Sequence, residues 1–178
     1  MRALLVVNPH ATTTTARSRD VIVHALAAAV DLDVVQTTHR SHATDLARQA
    51  RLDGLDLVLT LGGDGTVNEV VNGLLADGPG HDVPMLGTVP GGSANVFTRA
   101  LDLPEDPVEA TGALLEALEH KRTRVLGLGT AEFDGRRRWF VCNAGLGMDA
   151  EIIEEMEKLR AKGQPATSAR YVQTALRH

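Results

Sequence analysis

The chain has 178 residues, 43% hydrophobic and 23% charged, which are the proportions of a folded globular protein and exclude disorder, collagen and fibre. Only 3% of residues are aromatic, so a core must be built from Ala, Val, Leu and Ile, as buried parallel strands are. A net charge of −5 argues against nucleic acid as a partner, and the lone Cys142 excludes an intramolecular disulfide and a cysteine zinc site. That cysteine usage fits the cytoplasm, as do the lack of a membrane-length apolar run and of a signal-peptide h-region in residues 1–8. Peripheral contact at the inner membrane face is left open.

Apolar runs of strand length alternate with segments of helical period, the pattern of an α/β fold with a helix-covered parallel sheet. Residues 3–7 read as a first strand and 17–30 as a helix with Val21, Ile22, Leu26 and Val30 inward. A strand over 32–36, a helix over 43–52, a strand over 56–61, a helix over 66–76 and a strand over 84–89 follow. A short helix over 94–101 and a long amphipathic one over 106–119 complete this half. After Lys121 the pattern changes to two β-like stretches, 122–133 and 137–143, joined by the turn signal Asp134-Gly135. We therefore expect an α/β domain over 1–121 and the beginning of a β-rich second domain over 122–178. A helix over 149–162, a break at Gly163-Gln164-Pro165 and a new helical pattern up to His178 follow the hairpin. These elements are thin for an independent core, so they pack on the first domain or belong to a longer protein.

The most informative segment is a buried strand that ends in Gly62-Gly63-Asp64-Gly65 and opens directly into a helix at Thr66. Glycines allow a tight turn and close approach of a ligand, and the first turn of a helix leaves amide donors unpaired at its positive end. A phosphate would satisfy those donors. Asp64 would then meet it through a divalent cation, or accept from a hydroxyl of ribose or substrate. A plain helix cap by Asp or Thr toward Glu69 needs no ligand, but neither does it need three glycines. A second loop, Val89 to Asn95, also joins a strand to a helix and offers Gly91, Gly92, Ser93 and Asn95; by itself it reads as an ordinary turn with Ser93 as the cap. Asn8-Pro9 begins a polar loop after the first strand, and Thr37-Thr38 closes the second. In open α/β sheets ligands lie beyond the carboxyl ends of the strands, where all four segments fall.

No lysine precedes Lys121, which excludes a P-loop with its phosphate-holding lysine. Gly145 to Ala150 satisfies G-x-G-x-x-A, yet no acidic residue follows Glu157, so the ribose-binding acid of a dinucleotide fold is missing. His39 and His42 lack a third ligand and read as solvent-exposed, and Ser93 lacks a nucleophile-elbow setting. The run Arg136-Arg137-Arg138 reads as a solvated tip or, more sharply, as a weak contact for anionic lipid headgroups.

These motifs resemble the catalytic domain of diacylglycerol, sphingosine and ceramide kinases and bacterial lipid kinases. The family's opening Asn-Pro is Asn8-Pro9, and its Thr-rich segment is Thr37 to Ala43. Its G-G-D-G-T-x-N-E signature is complete at Gly62 to Glu69, its P-x-G-[ST]-x-N loop is Pro90 to Asn95, and its N-x-G-x-G-x-D-A turn is Asn143 to Ala150. The resemblance implies an α/β nucleotide-binding domain like those of NAD kinase and 6-phosphofructokinase, a three-layer fold, followed by a β-rich domain. It implies ATP contacts at Thr37, Gly63, Asp64, Gly65, Thr66, Val67, Asn68, Glu69 and Ser93, with Asn8 and Asn95 close by. Asp64 is the expected catalytic residue, beside the phosphates and Mg²⁺.

The implied reaction is transfer of the γ-phosphoryl group of ATP to a lipid hydroxyl, with diacylglycerol as the leading acceptor. An NAD kinase-like enzyme and a catalytically silent ATP-binding fragment are the alternatives. A homodimer remains compatible with this reading. Ser41 stands where the family has glycine. Members of the family carry a second Mg²⁺ site and an acidic base further along, so this chain resembles their amino-terminal part. Loss of the base would remove general-base help of about 10²–10⁴-fold.

Overall fold

The computed structural model describes residues 1–11, 14–145, 148–161, 170, 173 and 174. It divides into two compact units, Met1–Cys142 and Asn143–His178. In the first, β1 (Arg2–Val7), β2 (Asp31–Gln36), β3 (Leu57–Gly62) and β4 (Met85–Pro90) form a parallel sheet in the order β2-β1-β3-β4. It is an α/β fold with helices on both faces. The chain winds from β1 to β2 in one direction and from β3 to β4 in the other, so the switch point lies between β1 and β3.

Strand alternation sorts the core into two layers. On one face Leu5, Val7, Leu59 and Leu61 pack with Ile22 and Leu26 of α1 (Ala16–Ala27) and with Leu114 and Leu118 of α5 (Pro107–Glu119). On the other, Leu4, Val6 and Val58 meet Ala43, Ala47 and Ala50 of α2 (His42–Leu52) and Val70 and Leu74 of α3 (Asp64–Leu74). β3 is buried along its whole length, and each large apolar side chain there contributes about 1.5–3 kcal/mol. Its one polar side chain, Thr60, donates to Thr88 Oγ1 at 3.1 Å across the β3–β4 pair. A Cβ at Gly73 would run into the Thr44 carbonyl oxygen and stand 2.8 Å from the Ala47 Cβ, so α2 and α3 cross this closely only because residue 73 is glycine.

Several boundaries differ from the sequence reading. The first helix ends at Ala27, and Val21 is 49% exposed rather than inward. Its start is set by Thr15 and Ser18, which cap each other reciprocally. α3 starts two residues earlier than expected, with Asp64 already helical. The short α4 (Val96–Ala100) begins after Asn95, which takes a left-handed conformation with φ 46°. β5 (Gly129–Phe133) and β6 (Arg136–Phe140) form the expected hairpin, and Asp134 (φ 49°) and Gly135 (φ 69°) make its two-residue turn. Residues 122–128 are not a strand. The ladder ends at the Gly129–Phe140 pair, and no partner strand lies beyond it among the described residues.

The hairpin docks on α3: Asn72 accepts from the Trp139 amide at 3.0 Å and donates to its carbonyl at 2.9 Å. Trp139 Nε1 also donates to the Leu75 carbonyl at 3.2 Å. The compact unit therefore takes in the hairpin that the sequence reading placed in a second domain from residue 122. In the second unit, α6 (Met148–Ala161) buries Ile152 and Met156, and Thr174 donates to the Met156 sulfur at 3.9 Å. Residues 163–165 and most of the helical pattern expected after them lie outside the described residues.

Candidate phosphate site at the carboxyl edge of the sheet

Ladder hydrogen bonds extend past the strand ends and set the candidate residues in a row. Thr37 N donates to Val7 O at 2.8 Å, Asn8 N to Leu61 O at 2.9 Å and Gly91 N to Gly62 O at 2.8 Å. Thr37, Asn8, Gly62 and Gly91 thus stand side by side across β2, β1, β3 and β4. Asn8 also donates to Thr66 Oγ1 at 3.4 Å, tying the end of β1 to the first turn of α3 at the switch point.

The two glycine loops touch backbone to backbone. A Cβ on Gly92 would lie 2.6 Å from the Gly63 Cα, and one on Gly91 would lie 3.0 Å from the Gly62 Cα. No side chain fits between them. Asn95 holds the second loop in shape: its Oδ1 accepts from Gly92 N at 2.9 Å and its Nδ2 donates to Gly92 O at 2.7 Å. Asn95, rather than Ser93, is the cap position of α4, and the Ser93 side chain is left exposed.

Gly63 caps α3 with no side-chain hydrogen bond, and the Thr66 and Val67 amides both return to its carbonyl. The Asp64 and Gly65 amides precede any intrahelical acceptor, which makes this helix end electropositive. The half-buried Asp64 carboxylate uses one oxygen structurally. Its Oδ1 accepts from Phe97 N at 3.0 Å and from the Cys142 thiol at 3.6 Å. No hydrogen bond among the described residues reaches Oδ2. Burial first, then the Asp64 carboxylate, pushes the Cys142 thiol up to about 11 from its ordinary 9.0. Cys142 is thus a protonated donor toward Asp64 at neutral pH.

The remaining expected residues separate into distinct settings. Thr66 is buried against Gly62 and Asn8, and Val67 is 2% exposed and faces the core, so its side chain is turned away from the helix end. Asn68 Oδ1 is buried and without a hydrogen-bond partner. Glu69 forms no capping box; its carboxylate accepts from the Ser41 amide at 3.0 Å, and its carbonyl accepts from Thr44 Oγ1 at 3.0 Å. Ser41 has φ 68°, the left-handed region that glycine tolerates best, which gives the physical reason for a glycine there. His39 is exposed, while half-buried His42 stacks on it at 4.8 Å and accepts from Thr38 N at 3.1 Å. The turn from Asn143 to Ala150 includes Leu146 and Gly147, which lie outside the described residues. Sequence reasoning missed Phe97, Cys142 and Asn72. The first two act on Asp64 from 33 and 78 residues away, where no periodicity or spacing signals them.

Comparison with known proteins agrees with this geometry. The family model of the diacylglycerol kinase catalytic domain matches residues 2–129. A diacylglycerol kinase of Bacillus subtilis (strain 168) is 36% identical over 121 residues, which are 67% of this chain and 36% of the relative. A probable YegS-like lipid kinase of Chromohalobacter salexigens is 44% identical over 107 residues, 60% of this chain and 32% of that relative. The crystal structure of a diacylglycerol kinase from Bacillus anthracis str. Sterne superposes with a TM-score of 0.58 at 35% identity, covering 65% of this chain and 43% of that one. The chain thus spans about a third of the length of these two curated relatives. With a glycine-built helix end at the switch point and a family match over most of its length, the chain belongs to the diacylglycerol kinase catalytic domain family.

Proposed function

We propose that this chain forms the ATP-holding part of a lipid kinase that passes the γ-phosphoryl group to a lipid hydroxyl, most directly that of diacylglycerol. Gly65 carries this reading. It is exposed, its φ is not positive, and a Cβ there would meet nothing within 4 Å among the described residues. The fold makes no demand for glycine at this position, and glycine in a helix is less favourable than alanine by up to about 1 kcal/mol. A ligand that comes hard against the first turn of α3 accounts for it. The neighbouring amides supply the donors, and the ligand class that fits them is phosphate.

In this reading the terminal phosphates sit over Asp64 and Gly65, the exposed Ser93 hydroxyl faces them from the second loop, and Thr37 bounds the site at the end of β2. Asn8, Thr66, Asn68 and Asn95 shape the cradle, and Val67 and Glu69 act through the helix they belong to. Asp64 is the catalytic residue, with Oδ2 as its working oxygen. Among the described residues no three His, Cys, Asp or Glu side chains converge on a metal site. The donor set still fits Mg²⁺, which commonly takes one or two carboxylates and completes its shell with phosphate and water. Bound there, Mg²⁺ would neutralise charge developing on the phosphates. The YegS-like relative extends the acceptor class to other lipids with a free hydroxyl.

No described helix is long and apolar enough to span a bilayer. We further propose that the hairpin begins a β-rich second domain. The test is transfer of labelled γ-phosphate from Mg-ATP to diacylglycerol, ceramide, sphingosine and NAD, with an Asp64→Asn control whose fold is checked by circular dichroism. Transfer to diacylglycerol that drops at least a hundredfold in the variant is expected. Transfer to NAD alone would overturn the lipid reading, and ATP binding without transfer would make the chain a nucleotide-binding fragment.

A further inference from the structure

Asp64, Asn68 and Asn72 follow one another along α3 at the i, i+4 spacing that keeps side chains to one side of a helix. The first and last of them hold the same short stretch of chain, the end of β6 and the two residues after it. Asn72 brackets the Trp139 backbone, accepting from its amide and donating to its carbonyl, while its Nδ2 also donates to the Asn68 carbonyl at 2.7 Å. Both polar atoms of that side chain are thus used in fixing where β6 lies. Further along the same stretch, the Cys142 thiol reaches Asp64 Oδ1. The lengths agree, since the helix rises about 12 Å from Asp64 to Asn72 and extended chain spans about 10 Å from Trp139 to Cys142. The strand end therefore lies antiparallel to the helix and is pinned to it at both ends.

At the Asp64 end a second donor meets the same oxygen. Oδ1 accepts from Phe97 N as well as from the thiol, and the Phe97 amide also faces the Cys142 sulfur. Phe97 is 6% exposed on α4, so one donor comes from the helix after the second glycine loop and the other from the hairpin strand. Amide and thiol are both neutral, which lets them fix the direction of the carboxylate without cancelling its charge. With Oδ1 held toward α4 and the strand end, Oδ2 is the oxygen left for the cradle.

We propose that Cys142 and Asn72 are positioning residues for Asp64: the strand end from Trp139 to Cys142 is a strut along α3 that fixes the carboxylate and presents Oδ2 to the phosphates. This role rests on the phosphoryl-transfer reading of the site and adds to it two residues that touch neither nucleotide nor acceptor. A displacement of the hairpin would reach Asp64 through Cys142, so the docking of Trp139 on Asn72 tunes the site from two helical turns away.

Alkylation of the nucleotide-free chain by iodoacetamide reads the strut without catalysis, because Cys142 is the single cysteine. Asn72→Ala should raise the rate about fivefold, since a thiol no longer held between α3 and α4 is open to the reagent. Emission of Trp139, the single tryptophan, follows the hairpin in the same variant. Transfer of labelled phosphate then reads the consequence. Cys142→Ala should lower kcat about tenfold, the lower end of the effect of one hydrogen bond to a charged group, with KM for ATP nearly unchanged. Cys142→Ser keeps a donor of similar size and should recover most of the rate. Packing alone would rank alanine above serine, because serine buries the more polar group. Asn72→Ala should lower kcat to a similar degree, and the double variant no further than Cys142→Ala, since both act through one contact. Wild-type turnover in Cys142→Ala, a serine variant as slow as the alanine one, losses that multiply in the double variant, or alkylation unmoved by Asn72→Ala would overturn the proposal. A wild-type chain that transfers no phosphate while Asn72→Ala still frees the thiol removes the kinase reading and leaves the strut standing.

Discussion

The two glycine loops look alike in sequence and do different work. After β3, Gly63 leads straight into an eleven-residue helix whose first amides and one Asp64 oxygen meet no hydrogen-bond partner among the described residues. After β4, Gly91 and Gly92 lead through Ser93 and Ala94 to Asn95, whose side chain is fully used in holding Gly92, and the helix that follows has five residues. The first loop is a cradle and the second is its wall. The difference lies in where the polar groups point, since both loops consist of glycines and small polar residues.

The largest expected effect breaks the wall. Gly92→Ala places a methyl 2.6 Å from the Gly63 Cα, where only backbone could give way. Overpacking of this kind costs about 1–3 kcal/mol, so the variant should melt lower and lose nucleotide affinity together. Wild-type melting would show that the loops can part freely.

A second effect concerns the Asp64 side of the cradle. With the thiol of Cys142 raised to about 11, the folded chain should hold about fifty-fold less thiolate at pH 9 than an ordinary cysteine of pKa 9.0. Because the folded value lies above the unfolded one, the stability this proton contributes is complete below pH 9 and is lost as pH rises through about 11. Ultraviolet titration of the thiolate checks this, and Asp64→Asn should lower the midpoint. An unshifted midpoint in the variant would disconnect the two groups.

The smallest effect is at Ser41. A left-handed residue costs about 1–2 kcal/mol, but glycine adds freedom to the unfolded chain worth about 0.4–1 kcal/mol. Ser41→Gly should therefore raise thermal stability by between zero and about 1.6 kcal/mol while keeping the Ser41 amide on Glu69.

Much of this architecture was legible because strand and helix periods are local. Leu57 to Leu61 could only be a buried strand, and Asp134-Gly135 could only be a tight turn. Alternation in residues 122–128 misled because it records which side chains are apolar and not whether a partner strand exists. The site was legible as a set of glycines, but their separate roles were not. Gly92 is needed for contact with Gly63, Gly73 for contact with α2, and Gly65 for nothing among the described residues, a distinction that only neighbouring atoms reveal. The contacts of Cys142 and Phe97 with Asp64 depend on the finished fold, so no stretch of sequence carries them.

Gly65→Ala tests the cradle most directly, by thermal melting of the variant beside titration with Mg-ATP. A methyl there meets no atom of the described residues and adds helix propensity, so the variant should melt higher, by the equivalent of up to about 1 kcal/mol, while binding Mg-ATP at least tenfold more weakly than wild type. A variant that melts higher and binds Mg-ATP with undiminished affinity would contradict a phosphate seated on the first turn of α3.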